Sequence, residues 1–417
     1  MRHKLAVAVL AGTLALAVTG GCSTKGGSGG AATTGAGGVK TDFGVTDTEI
    51  TLGELTDHSG PFKIGGISAT QGAQIWVDEV NAAGGICDRQ IKIDSQDMGY
   101  KTDKAISLYA GQKDNILGMM QLLGSPMIAA LKNQLNSDKV MFIPASWASS
   151  NLDIGTLLMI GPSYDIEMIN GMAFLQDQGL IADGDKVGHI YIDGEYGANA
   201  LAGSKYYAGK HKMTVVEQKL TATDNDMAAT ITKMKSEGVK GLMLSTSTAQ
   251  LGSIVTQAKN QGLDVPMVGS NPSFDAPLMD TPAGAAMDNY YLANYSVPFA
   301  DPTMSGVAAK FKVQFTDMPN KTVAFGYVSG LLWQGILEEA CKSKDLTRDG
   351  VIAAKAKITE LDTKGITAPL DFSKPGEPSS RANFILKPDA TVDGKLVTLQ
   401  EAKASKEAKG YKLPFQK

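Results

Sequence analysis

Glu49-Ile-Thr-Leu-Gly-Glu-Leu55 alternates apolar and polar residues and then turns more apolar, as a buried strand does. Thr56-Asp-His-Ser-Gly-Pro-Phe62 follows, a run of loop-forming residues. From Ile67 to Ala82 the apolar residues Ala69, Ala73, Trp76, Val77 and Val80 recur at helical spacing, with Ser68 placed to cap. Ala83-Gly84-Gly85 supplies a stop, because glycine takes the left-handed conformation that a helix C-terminus favours. Gln90-Ile-Lys-Ile-Asp94 alternates again. Strand, helix and strand make a βαβ unit. Its right-handed crossover sets the two strands parallel in one sheet. Ligands of such sheets bind beyond the carboxyl ends of the strands. The loop between Thr56 and Gly66 therefore points toward any site in this part of the chain.

Outward from that unit, the alternation continues. Lys101 to Gln112 reads as a helix, Ile116 to Leu123 as a buried strand, Met127 to Asn136 as a helix and Val140 to Ile143 as a strand. Gly124-Ser125 and Ala145-Ser146 follow strands and are expected beside the Thr56 loop, around one crevice. Ser125 also precedes a helix, whose free N–H groups favour an anion such as a carboxylate. From Asp165 the pattern restarts. Helices at Ile166–Gly179, Asn199–Gly209, Asp224–Gly238 and Leu251–Gly262 interleave with strands at Asp185–Ile192, Thr214–Lys219, Lys240–Leu244 and Val265–Val268. Tyr290 to Pro298 is expected to cross back to the first lobe. Met304 to Asp317 and Val323 to Cys341 read as helices, Pro369 to Phe384 as extended, and the charged tail from Leu399 as helix-prone. The expected fold class is α/β, with two doubly wound parallel-sheet lobes. The expected organisation is lobe 1 at 41–164 and 297–372, and lobe 2 at 165–296, with a lobe 2 return and tail at 373–417.

The first residues are read as a targeting segment. Arg2, His3 and Lys4 are basic, Leu5 to Val18 is apolar, and small residues precede Cys22, so 1–21 reads as a secretory signal peptide. Cys22 after Thr19-Gly20-Gly21 is similar to the lipid-acceptor cysteine of bacterial lipoproteins, although Thr19 stands where leucine or valine is usual. Residues 22–40 are expected to be the lipidated cysteine and a flexible tether rich in Gly, Ser, Ala and Thr. The expected location is outside the cytoplasm, on the outer face of the cell membrane. In that compartment Cys87 and Cys341 are either bridged or free, the bridge being the commoner state for a pair. The chain is 43% hydrophobic and 20% charged, with a formal net charge of −4 and no basic patch. A nucleic-acid partner is therefore not expected.

The ordered set Ser59-Gly-Pro61, Asn81-Ala-Ala-Gly-Gly-Ile86, Gly124-Ser125, Ile143-Pro-Ala-Ser146, Asp193-Gly-Glu-Tyr-Gly197, the Asp-led segment near Asp224, and Ala258-Lys-Asn-Gln-Gly262 resembles the leucine/isoleucine/valine-binding protein family. These are substrate-binding components of bacterial ABC importers with the type I periplasmic-binding-protein fold. The resemblance spans about Val45 to Phe384. It implies two lobes joined by a multi-strand hinge, a small-molecule ligand captured between them, and permease and ATPase subunits as separate partner chains. It also implies a ligand carboxylate held near Gly124, Ser125, Ala145, Ser146 and Trp147, and closure through Tyr196. Phe325 or Tyr327, at the start of a late helix, would approach the cleft.

This sequence departs from that family at the ammonium end. Where amino-acid binders place an acidic residue, the chain has Asn271; where an aromatic residue is common, it has Ser247; and Trp147 replaces a small hydroxyl residue. Glu195 and Asp275 are the acids that remain to supply the charge. Burying an ammonium without an anionic partner costs on the order of several kcal/mol. The expected ligand is therefore a branched-chain-amino-acid-like molecule or a carboxylate without an amine, and Trp147 either stacks on it or packs at the hinge. No catalytic residue, cofactor or metal is expected. The sole G-x-S-x-G is Gly26 to Gly30, in the tether, and no dinucleotide or phosphate-loop motif occurs. His58, His189 and His211 lack metal-ligand spacing. A ligand sensor of the same build, or an enzyme, remains the alternative.

Overall fold

The computed structural model of the protein describes residues 32–416. The expected signal peptide, Cys22 and most of the tether lie outside the described residues. The end of the expected tether is structured. Thr33–Thr34 pairs with Lys40–Thr41, and the latter pairs with Asp345–Leu346.

Strands β1 (Glu49–Thr56), β2 (Gln90–Asp97), β3 (Gly118–Leu123) and β4 (Phe142–Ala145) form a four-stranded parallel sheet in the order β2-β1-β3-β4. β1 pairs with β2 from Glu49↔Gln90 to Thr56↔Asp97, the register expected of the opening βαβ unit. Helices α1 (Lys63–Ala82), α2 (Thr102–Gln112) and α3 (Ser125–Ser137) connect these strands. A second sheet contains β5 (Lys186–Ile192), β6 (Thr214–Leu220), β7 (Leu242–Ser245), β8 (Met267–Gly269) and β9 (Tyr290–Asn294), all parallel. β10 (Asn383–Pro388) and β11 (Leu396–Lys403) extend it antiparallel, giving the order β11-β10-β9-β8-β7-β5-β6. Helices α4 (Tyr164–Asp177), α5 (Glu195–Lys210), α6 (Ala228–Glu237) and α7 (Thr248–Gln261) serve this sheet. In each sheet the strand order reverses beside the first strand, which opens a crevice at the carboxyl ends.

Three expectations are corrected here. α1 begins at Lys63, so Ser68 is inside the helix and buried rather than its cap. The start is set by Asp57, whose carboxylate accepts the N–H groups of Ser59, Gly60 and Phe62. Tyr290–Asn294 is a strand of the second sheet, and the crossing comes after it, where Val297 N–H donates to Ile366 O. The tail from Leu399 is strand as far as Lys403, because its alternating side chains suit an edge strand against β10, and the expected helix is confined to Lys406–Gly410, capped by Ser405.

Helices α8 (Ser305–Gln314), α9 (Thr322–Lys342) and α10 (Arg348–Lys355) complete the fold. α9 lies against α1 and is tied to the first sheet by Trp333, whose indole N–H donates to Met119 O at 3.2 Å. The helices meet backbone to backbone. A Cβ on Gly326 would fall 1.8 Å from Ala69 O, and one on Gly72 would fall 2.0 Å from Val323 O. Cys87 and Cys341 form a disulfide with a Cα–Cα distance of 5.9 Å, joining the turn after α1 to the end of α9. This close seam fixes where the N-terminus of α9 points. Gly326→Ala is expected to destabilise the protein by about 1–3 kcal/mol, read by denaturant unfolding. An unchanged midpoint would mean that the seam yields without cost.

Candidate functional site

The carboxyl ends of both sheets face one cleft with an empty volume of about 610 Å³, counting the part open to solvent. From the first sheet come Phe62 and Gly65 after β1, Tyr100 after β2, Leu123, Gly124 and Ser125 around the end of β3, and Ala145 and Trp147 at the end of β4. From the second come Tyr164 on α4, Tyr196 after β5, and Asn271, Pro272 and Asp275 after β8. Lys321, Thr322 and Phe325 enter from the start of α9. Phe62, Tyr100, Trp147, Tyr164, Tyr196 and Phe325 make the lining strongly aromatic.

Of the expected residues, Gly124, Ser125, Ala145, Trp147, Tyr196, Asn271 and Phe325 line this cleft. Gly124 has φ +97°, and a Cβ there would meet Met127 Cε at 2.1 Å and Tyr100 Cε2 at 2.8 Å. Glycine is therefore required at that corner by both conformation and space. Ser125 is the first residue of α3, and its hydroxyl is 2.6 Å from that of Ser146. Ser146 stands behind Ser125 and does not itself line the cleft. Ser247 does not line it either. Its hydroxyl accepts from Gln250 N–H, and the Gln250 side chain accepts from Ser247 N–H, a reciprocal cap that begins α7.

Tyr196 lies in the first turn of α5, not in a loop, since α5 starts at Glu195. Its hydroxyl is 2.5 Å from Ser270 Oγ and 3.3 Å from Thr246 O. Burial, with Tyr164 adding to it, pushes the phenol well above its usual range, and the Ser270 hydrogen bond opposes the shift. Tyr196 therefore offers the cleft a ring held by its own lobe. Trp147 both packs and lines. It stacks on Tyr295 at 5.0 Å between ring centres, meets Phe325 edge-on at 5.5 Å, and spends its indole N–H on Ile160 O.

The polar end of the cleft differs most from expectation. Asn271 is engaged within the protein. Its side-chain amide donates to Glu167 Oε1 at 2.8 Å, and its backbone N–H donates to Oε2 at 3.2 Å. Burial pushes the Glu167 carboxyl up to about 8 despite the Asn271 hydrogen bonds and nearby Lys321, which oppose the shift. Asp275 accepts hydrogen bonds from Thr248 Oγ1 at 2.7 Å and from Asn320 Nδ2. Lys321, only 2% exposed, places Nζ 3.7 Å from Asp275 Oδ1 and donates to Phe274 O at 2.6 Å. Burial pulls its ammonium below the usual lysine range, while Asp275 and Glu167 oppose that. Glu195 is elsewhere, accepting from Ser150. Lys321 and Thr322 had a signal in the sequence that periodicity alone passes over. A lysine immediately before a long apolar helix sits at the positive end of the helix dipole, where cations are disfavoured.

None of the three described histidines reaches the cleft. His189 is buried with its ring nitrogen 3.0 Å from Ser245 Oγ, and burial pushes it down to about 3. Among the described residues no group of three His, Cys, Asp or Glu could hold a metal, and no helix is long and apolar enough to cross a membrane.

A two-lobed α/β protein with an aromatic cleft between parallel sheets is a solute-binding design. Residues 49–390 match the family model described as periplasmic binding protein, and the chain belongs to that family. A fatty acid ABC transporter substrate-binding protein from Thermomonospora curvata is 36% identical, with a TM-score of 0.89 over 92% of this chain and 99% of that one. The Leu/Ile/Val-binding protein homolog 3 of Brucella melitensis is 22% identical, over 84% of this chain and 94% of its own length. A branched chain amino acid ABC transporter protein from Thermus thermophilus, solved with bound valine, is 15% identical with a TM-score of 0.79, covering 87% of this chain and 98% of that one. The last is a likeness of fold.

Glu167 gives a prediction in pH. Its folded-state value, about 8, lies above the ordinary 4.5. The folded state therefore holds this proton more tightly, and stability is lost as pH rises between those values. Glu54, also buried and raised to about 7, acts in the same direction. Glu167→Gln is expected to make the melting temperature fall less steeply across that window, leaving the Glu54 share. An unchanged slope would mean that Glu167 is already ionised in the folded protein.

Proposed function

We infer that this protein is the extracytoplasmic ligand-binding subunit of an ABC importer and captures a small carboxylate without an α-amine. The observation that carries the ligand class is the commitment of every acid near the polar end. Asn271 and Glu167 hold each other, and Asp275, the sole acidic residue lining the cleft among the described residues, is engaged by Lys321, Asn320 and Thr248. A ligand ammonium would find no free anion there and would face the ammonium of Lys321. The aromatic lining suits an apolar body. The named ligand of the Thermomonospora curvata relative, a fatty acid, is of this class.

In this reading the ligand docks in the open cleft, the lobes close by hinge motion near residues 164, 296 and 372, and the closed form is recognised by a membrane permease driven by its ATPase. No bond in the ligand is made or broken. Cys22 carries the lipid that holds the protein to the membrane.

A thermal-shift panel tests the ligand class. For a Kd of about 1 μM, roughly 1 mM ligand stabilises by about 4 kcal/mol. Deaminated branched-chain acids and straight-chain fatty acids are expected to raise the melting temperature, and leucine, isoleucine and valine are not. A shift with the amino acids alone would overturn the assignment. Cys22→Ala is expected to abolish incorporation of labelled palmitate and to release the protein from membranes; retained label would place the lipid elsewhere.

A further inference from the structure

We propose that the carboxylate of the ligand is held at the start of α9, by the Lys321 ammonium and the Thr322 hydroxyl, with the apolar tail among Phe62, Tyr100 and Trp147. This rests on the carboxylate reading above and names the residues that would enforce it. It also moves the head group away from the Gly124-Ser125 corner, where the sequence resemblance puts it.

Three observations carry the assignment. First, Lys321 is buried yet lines the cleft. An ammonium has three hydrogens. One goes to Phe274 O at 2.6 Å, and Asp275 stands 3.7 Å away at ion-pair distance. That leaves a donor for an incoming oxygen. Second, Thr322 Oγ1 is buried, has no hydrogen-bond partner, and belongs to a residue of the cleft lining. A buried hydroxyl without a partner costs stability unless something else completes it. Third, Lys321 caps and Thr322 begins a helix of 21 residues, α9, whose dipole favours an anion, although the N–H groups of Lys321, Val323 and Ala324 already donate to Asn320 and Lys321. At the opposite corner the Ser125 hydroxyl already has a partner in Ser146. Asp275 is the built-in counter-charge that makes the buried lysine tolerable before ligand arrives. It is itself anchored by Asn320 and Thr248, so it stays in place when a second carboxylate shares Lys321. Glu167, neutral while it keeps its proton, adds no further repulsion.

The test is titration calorimetry with octanoate and octanamide, which differ in charge and share one tail. Wild type is expected to bind octanoate and to lose roughly 10- to 100-fold in affinity for octanamide, the range of a charge-assisted hydrogen bond. Thr322→Val keeps the shape and loses only an unpartnered hydroxyl. It is expected to melt at or above the wild-type temperature while binding octanoate roughly 3- to 10-fold more weakly. Lys321→Met paired with Asp275→Asn removes the ion pair without stranding a charge. It is expected to bind octanoate and octanamide alike, with circular dichroism confirming the fold. Loss of octanoate binding in Ser125→Ala, with both α9 variants unaffected, would place the head group at the first-lobe corner and overturn this inference while leaving the carboxylate reading intact. Equal binding of acid and amide by wild type would overturn the inference alone. Failure of wild type to bind any straight-chain or deaminated branched-chain acid would overturn both.

Discussion

A lysine ammonium buried between two sheets is the constraint that orders the binding cleft. Lys321 comes from the helix packed on the first sheet, and its partners, Phe274 O and Asp275, come from the loop after β8 of the second. Removing such an ion from water is expensive unless its hydrogens are met. The surrounding chemistry follows from that need. Asp275 supplies the charge, Asn320 and Thr248 steady Asp275, and Asn271 occupies Glu167. In the proposed reading this leaves no free anion for a ligand ammonium at the polar end of the cleft and keeps one Lys321 hydrogen for a carboxylate.

That arrangement depends on backbone contact far from the cleft. Gly72 and Gly326 let α1 and α9 approach until side chains are excluded between them. Trp333 then pins α9 to β3, and the Cys87–Cys341 disulfide closes its far end. The start of α9 is thus held against the same sheet whose strand-end loops form the other wall. The aromatic residues complete the site in a similar way. Trp147, Tyr164 and Tyr196 are held by contacts within the protein and line the cleft. A cleft with its rings already positioned loses little side-chain entropy when it closes.

Much of this was legible in the chain. The strands of both sheets carry runs of apolar or alternating residues bounded by Gly, Ser and Pro, so the parallel framework and the crevice at its edge follow from local pattern. The strand-end loops brought Gly124, Ser125, Ala145 and Trp147 to the cleft as expected. The asparagine at 271, where amino-acid binders place an acid, was visible as well, and it left an amino acid and a carboxylate without an amine equally open. What local pattern missed were contacts set by distant parts of the chain. Asn271 is paired with a glutamate 104 residues away, and Lys321 meets Phe274 across 47. Ser247 caps α7, a role that sequence alone does not distinguish from ligand contact. Tyr196 was placed in a loop because glycines on either side hid the start of α5. The tail was read as helix-prone because lysine, glutamate and alanine favour helices; pairing with β10 overrode that preference up to Lys403, and the helix survives only at Lys406–Gly410.

The most direct measurement is the identity of the molecule that the protein carries. Protein purified from its own membranes without denaturation would be unfolded in acid, and the released small molecules identified by mass spectrometry. The expected result is an apolar carboxylic acid with no amine, in a ratio approaching one per chain. Recovery of leucine, isoleucine or valine in that ratio would contradict the account, because it would require an ammonium site where Lys321 now stands.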